Sequence, residues 1–298
     1  MAGNSTKFDE FLTSEVRKYK GIYVPVRASL LERLFVKKLS PEKIHPNPDD
    51  DFCDPRVGPN YGIISNYEQD IREARQNPAK VAIAEPLIVE KIRPDGYMLF
   101  NGHHRWAAAK HMGMKKVPVS VVNVTHEGDI REMLKKSKNE KRVTLDLDEV
   151  VFATEGEPCE KNLSFPFSLV FKHRLRLGVP ALFFYFKKAG YDIWVYSANY
   201  YSLEYIDGLF KHYNVSIDGI DTGTGRKQAS YVQTHKKLSE MIAQHYTRTL
   251  HIDARSVVCI NNQTHDFREY PLNGSADDWS KGVLDIVKGI EKGEVNPV

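Results

Sequence analysis

The sequence predicts an α/β protein of two domains, a small α+β domain followed by a parallel-sheet domain, and three observations carry that prediction. Its 298 residues are 41% hydrophobic, enough for two ordinary domains that each bury a core. Near the midpoint, the run Arg142 to Phe152 reads as an apolar strand that delivers Asp146 and Asp148 at its carboxyl end. Helix and strand patterns then alternate downstream, as a parallel sheet requires. Sites in open α/β sheets form just beyond the carboxyl ends of strands, so Asp146-Leu147-Asp148 marks where a metal-assisted phosphoryl site would be built. The same residues also read as a buried strand entering an acidic turn.

Charge and cysteine content narrow the class. Lys and Arg total 42 against 39 Asp and Glu, a formal +3, which neither implies nor excludes a nucleic-acid partner. The three cysteines, Cys53, Cys159 and Cys259, are far apart and form no Cys-x-x-Cys pair, so neither a disulfide framework nor a structural zinc site is expected. The first residues contain no apolar leader, and no run approaches the roughly 18 apolar residues that span a bilayer. A soluble, cytoplasmic protein with no membrane partner is the expectation, and the oligomeric state stays unknown.

Residues 1–34 read as an N-terminal helical arm, with Phe8, Leu12 and Val16 at helical spacing and Leu30, Leu31 and Leu34 forming a second apolar set. Phe35 to Leu39 looks like a short strand, and Ser40-Pro41 starts a helical turn. The stretch from Pro46 to Pro59 is loop, and its acids Asp49, Asp50, Asp51 and Asp54 read as solvated. Ile63, Ile64, Tyr67, Ile71 and Ala74 mark a helix that Pro78 ends. Leu87 to Lys91 and Tyr97 to Phe100 form a hairpin around Arg93-Pro94-Asp95-Gly96.

The second hairpin strand runs into Asn101-Gly102-His103-His104-Arg105, which opens the helix Trp106 to Met112. Strand, glycine and helix start make an anion-binding corner: first-turn amides and the helix dipole face the ligand, Gly102 permits close approach, and Arg105 offers a fork. The competing reading has Asn101 capping the helix and the histidines exposed on its first turn.

Ser40-Pro41-Glu42-Lys43-Ile44-His45-Pro46-Asn47-Pro48, Glu85-Pro86-Leu87-Ile88-Val89, the Asn101 to Ala108 corner and Gly113 to Val119 together resemble the N-terminal domain of ParB, of the ParB/sulfiredoxin fold. The resemblance covers residues 35–126, and it implies that Gly102, His103, His104 and Arg105 bind nucleotide phosphates. Sulfiredoxins carry a cysteine where this chain has His103, so their reductase chemistry is not expected. Chromosome-partitioning ParB proteins carry an acid there and a helix-turn-helix region, neither of which is visible. The His-His-Arg version is similar to the branch containing free-serine kinases, which implies phosphotransfer to a small molecule and a carboxylate base, for which Asp49, Asp50, Asp51 and Asp54 are candidates.

Residues 127–141 read as a charged connector helix with a solvated lysine face. Residues 142–298 resemble the haloacid dehalogenase (HAD) superfamily, a Rossmannoid parallel-sheet fold. That resemblance makes Asp146 the nucleophile that forms an aspartyl phosphate, Asp148 the general acid/base, and Ser197, after the strand Tyr191 to Ser197, a donor to a phosphoryl oxygen. It makes Lys237 the phosphate-neutralising base, with Lys236, Arg226 and Lys227 as alternatives, and Asp146, Asp148 and Asp253 the ligands of Mg2+. Many members pair acids where this chain reads Asp253-Ala254-Arg255-Ser256. Ala153 to Pro180 has the length of a small cap, and Asp277 to Ile290 closes the chain as a helix.

Function follows as an expectation: a magnesium-dependent phosphohydrolase or phosphotransferase coupled to a nucleotide-binding module for ATP, ADP or CTP, acting on a phosphorylated small molecule or nucleotide. The alternatives are a nucleotide-dependent small-molecule kinase in the N-terminal domain, or a nucleotide-gated regulator associated with DNA whose second half is a silent scaffold. Substrate identity is not written in the sequence.

Overall fold

The computed structural model describes residues 2–77, 79–225, 229–272 and 278–294, with the side chains of 2–6 and 229–234 outside the description. The chain divides into two compact units, residues 1–123 with 226–232, and residues 124–225 with 233–298.

The N-terminal unit contains α1 (Ala2–Tyr19), β1 (Val24–Pro25), α2 (Leu30–Phe35), β2 (Lys38–Leu39), β3 (Ile44–Pro46), α3 (Tyr61–Gln76), β4 (Leu87–Arg93), β5 (Tyr97–Asn101), α4 (His103–His111) and β6 (Val117–Val121). Its sheet runs β2-β6-β4-β5-β3, with β1 pairing β4, and it mixes parallel and antiparallel neighbours. The hairpin β4–β5 forms where the sequence places it. Trp106, Ala107, Ala108 and Ala109 of α4 are wholly buried, so small residues let this helix lie close on the sheet.

Helix α1 is more than an arm. Phe8 and Leu12 are buried in the same core as Trp106, with the Phe8 and Trp106 ring centroids 6.1 Å apart. A polar network fixes its far end: His45 Nδ1 lies 2.9 Å from Glu15 Oε2, His45 Nε2 lies 3.0 Å from Tyr19 Oη, and Tyr19 Oη donates to Asp95 at 3.1 Å. Phe35, expected in a strand, instead ends α2, whose Ser29 and Glu32 make a reciprocal capping box.

The C-terminal unit contains α5 (Glu127–Lys136), β7 (Lys141–Asp146), α6 (Phe167–Val170), α7 (Val179–Lys188), β8 (Tyr191–Ser197), α8 (Leu203–His212), β9 (Gly219–Thr222), α9 (Ala229–His245), β10 (Arg248–Ile252), β11 (Ser256–Asn261), β12 (Phe267–Pro271) and α10 (Trp279–Lys292). The sheet order is β12-β11-β10-β7-β8-β9; β10, β7, β8 and β9 are parallel, and β11 and β12 add antiparallel strands at one edge. Val143, Leu145, Ile193 and Val195 face a core shared with α7, α8 and α10. On the opposite face, Trp194 packs with Ile130 and Leu134 of α5 and Leu238 and Ile242 of α9. The charged segment read as a connector therefore buries an apolar edge, and α5 belongs to this unit. The central strand also ends sooner than expected: Leu147–Val151 is a single π-helical turn, so Asp146 closes β7 and Asp148 sits in the turn.

Candidate functional site

In the N-terminal unit, β5 stops at Asn101 and the chain turns sharply into α4. Gly102 makes that turn at φ +98°, and a β-carbon there would stand 2.5 Å from Leu87 Cδ2 and 3.0 Å from Arg105 Nε. Only glycine fits both the angle and the space. The amides of the first helical turn, His103, His104 and Arg105, are the donors an α-helix leaves without internal partners, and they carry the positive end of its dipole. They line a cavity of about 520 Å³ together with Asp50, Asp51, Phe52, Glu85, Asn101 and Gly102.

Arg105 is 7% exposed, and its guanidinium lies against Gly102. Nη2 donates to Asn101 Oδ1 at 2.9 Å, Nη1 is ion-paired with Glu85, and Nε is buried with no partner. An unmet buried donor costs free energy, so this nitrogen is primed for an incoming oxygen. Asn101 therefore anchors the arginine and leaves the helix uncapped by any side chain.

The two histidines do something other than present themselves to a ligand. His103 is 5% exposed, and its Nε2 accepts the Asn47 amide at 3.3 Å; His104 Nε2 accepts the Asn60 amide at 3.1 Å. An imidazole nitrogen that accepts is unprotonated, and desolvation lowers the pKa of both rings, only partly opposed by Asp50. Through these Nε2 atoms their side chains tie down the two ends of the acidic loop, while both residues also line the cavity. Asp50 Oδ1 accepts the Phe52 amide at 3.0 Å and lies 3.6 Å from His103 Nδ1. Asp54 is spent on Arg56, whose guanidinium and amide hold its carboxyl down to about 2.

In the C-terminal unit, parallel register does the assembling. Leu145 pairs with Ile252, so Asp146 and Asp253 follow side by side at the carboxyl ends of β7 and β10. Asp146 pairs with Tyr196, which puts Ser197 at the end of β8 beside them. Tyr196 and His251 lie under both acids: burial and the charges of Asp146, Glu149 and Asp253 push the Tyr196 hydroxyl up to about 12. Asp146 Oδ1 accepts the amides of Asp148 and Glu149 at 2.7 and 2.9 Å, fixing the π turn.

The Asp148 carboxylate is held by two hydroxyls. Its Oδ1 accepts from Tyr201 Oη at 2.6 Å and its Oδ2 accepts from Ser197 Oγ, whose single proton is thereby committed. Tyr201 also lies 3.5 Å from His173 Nε2, and His173 Nδ1 is 2.7 Å from Tyr205 Oη. The segment from Ala153 to Pro180 thus brings His173 to Tyr201 and Tyr205, stacked on Phe152 at 4.5 Å.

Some expected partners are not brought together. Among the described residues, no three His, Cys, Asp or Glu side chains form a metal-binding group, and the Asp148 carboxylate accepts from Ser197 and Tyr201. Lys236 and Lys237 are exposed on α9 with no recorded contact to these acids. Arg226, Lys227 and Asp277 lie outside the described residues. Glu85, Asn47, Asn60, His173 and Tyr201 are participants that sequence reasoning missed; the Glu85-Pro86 pair was visible only as part of a motif.

Residues 29–138 match the ParB N-terminal domain family. An ATP-dependent L-serine kinase of Staphylothermus marinus is 32% identical over 95 residues, 28% of this chain and 37% of that protein. This chain thus spans little more than a third of its relative's length. A crystal structure of C-terminally truncated chromosome-partitioning protein ParB from Caulobacter crescentus, complexed with CTP-γ-S, is 23% identical over 35% of this chain and 55% of that one, with a TM-score of 0.24. The chain therefore contains a ParB-like domain over residues 29–138, within a mixed α/β protein of two sheets.

Proposed function

We propose that the N-terminal unit is a nucleotide-dependent kinase that binds the phosphates of ATP at the Gly102–Arg105 corner and transfers the terminal phosphoryl group to a small hydroxyl compound. The observation that carries this reading is Arg105: a buried guanidinium pressed on Gly102 beneath free first-turn amides, with Nε unmet. Such a corner stabilises charge on a transferring phosphoryl group, which is most of what phosphoryl transfer asks of a protein.

Asp50, oriented by the Phe52 amide and by His103, is the carboxylate we assign as base. It takes the proton of the acceptor hydroxyl as the new O–P bond forms and the bond to the β-phosphate oxygen breaks, releasing ADP. The name of the Staphylothermus relative supports ATP as donor and free L-serine as the first acceptor to try.

The test uses the Asp146→Asn protein, so that the second unit contributes nothing, with ATP and a panel of hydroxyl amino acids that includes L-serine. Phosphorylated product seen by 31P NMR, and missing in Arg105→Ala, is the expected result. A panel with no product at all would sink the kinase.

A second reading concerns residues 142–298, as a HAD-like phosphohydrolase that uses Mg2+. The side-by-side placement of Asp146 and Asp253, with Ser197 at the next strand end, favours it. If a metal is bound, Asp146 and Asp253 would hold it and Asp148 would join after leaving Tyr201. The basic partner such chemistry needs stays open among Lys236, Lys237, Arg226 and Lys227. A DNA-associated regulator with a silent second half gains no support from a net charge of +3.

A further inference from the structure

We infer that Glu85 is the resident anion of the phosphate corner and competes with every incoming anion: it holds Arg105 in the free protein, and a ligand must make several new bonds there to displace it. The inference rests on the nucleotide reading above. It begins with an asymmetry within one ion pair. The Arg105 side chain is 9% exposed, whereas that of Glu85 is 81% exposed.

The arginine has nowhere to retreat, since Asn101 Oδ1 holds Nη2 and the Gly102 backbone lies against the guanidinium. The carboxylate, on the solvent side and just ahead of Pro86 and β4, keeps most of its hydration and leaves at small cost. Its grip is also partial. It occupies Nη1 while the buried Nε beside it stays without a partner.

A polyphosphate brings enough oxygens to take Nη1, supply Nε and reach the first-turn amides of α4 together. A single small anion meets only part of that set and must still expel a carboxylate of comparable charge. Glu85 thereby lowers the affinity for every anion by one competing interaction, and ligands that make several new bonds overcome it.

Calorimetric titration of the 298-residue chain with ATP, and separately with inorganic phosphate, tests this on wild type, Glu85→Gln, Glu85→Ala and Arg105→Ala. Both Glu85 variants should bind ATP about fivefold more tightly, the factor that matches the upper end for an exposed ion pair, and should gain measurable phosphate binding. Arg105→Ala should abolish both. Binding by the Glu85 variants alone would also support the competition. Unchanged or weaker ATP binding would overturn it, making Glu85 an orienting partner of Arg105 and leaving the nucleotide reading intact. No ATP binding by wild type and both Glu85 variants would overturn the nucleotide reading and the inference with it.

Discussion

Gly102 and Leu87 meet so closely that a β-carbon on residue 102 would stand 2.5 Å from Leu87 Cδ2. The turn at Gly102 is thus built into the contact between β4 and the start of α4. Gly102→Ala combines a left-handed backbone with this clash and should destabilise the protein by roughly 3 kcal/mol. Chemical denaturation measures it; a loss under about 0.5 kcal/mol would mean the corner tolerates a side chain.

The histidines predict a pH dependence with a definite sign. Both rings accept backbone amides, and burial holds their folded values below the ordinary 6.5. The unfolded chain therefore binds more protons below about pH 6.5, and stability falls with pH through that window toward the folded values. Melting curves between pH 8 and 5 should show the decline. His104→Gln keeps an acceptor that does not titrate, so its curve should be flatter; an equally steep curve would remove His104 from the account.

Helix α1 is expected to behave as core. Phe8→Ala should cost about 3–5 kcal/mol, the range for emptying a buried aromatic site, because Phe8 is 6% exposed against Phe52 and Trp106. A cost near zero would return α1 to the status of an arm.

In the second unit, Ser197→Ala removes a fully buried hydroxyl that accepts the Asn199 amide and donates to Asp148 Oδ2. A loss of about 1–3 kcal/mol should follow in denaturant. Tyr201→Phe removes one donor at a half-buried position and should cost less. The reverse ranking would contradict the arrangement around Asp148.

Local chemistry was legible in the sequence, and distant pairing was not. The β4–β5 hairpin and the Gly102 corner are written in adjacent prolines and glycines whose backbone preferences act within a few residues. The strand ends near Ser197 and Asp253 followed from apolar runs that stop at polar residues, whereas the apolar run past Asp146 hid the π turn that ends β7 there. By contrast, the Nε2 atoms of His103 and His104 are taken by the amides of Asn47 and Asn60, 56 and 44 positions away. Asp148 likewise depends on Ser197 and Tyr201, 49 and 53 positions on. Phe8, Leu12 and Val16 announced a helix with an apolar face, but the surface that face would meet is assembled only in three dimensions.

The most direct measurement is a crystal structure of the protein with a non-hydrolysable ATP analogue. The account predicts phosphate oxygens on Arg105 Nε and on the first-turn amides of α4, with Glu85 released from Nη1. An analogue seated elsewhere, with the Arg105–Glu85 pair intact, would contradict it.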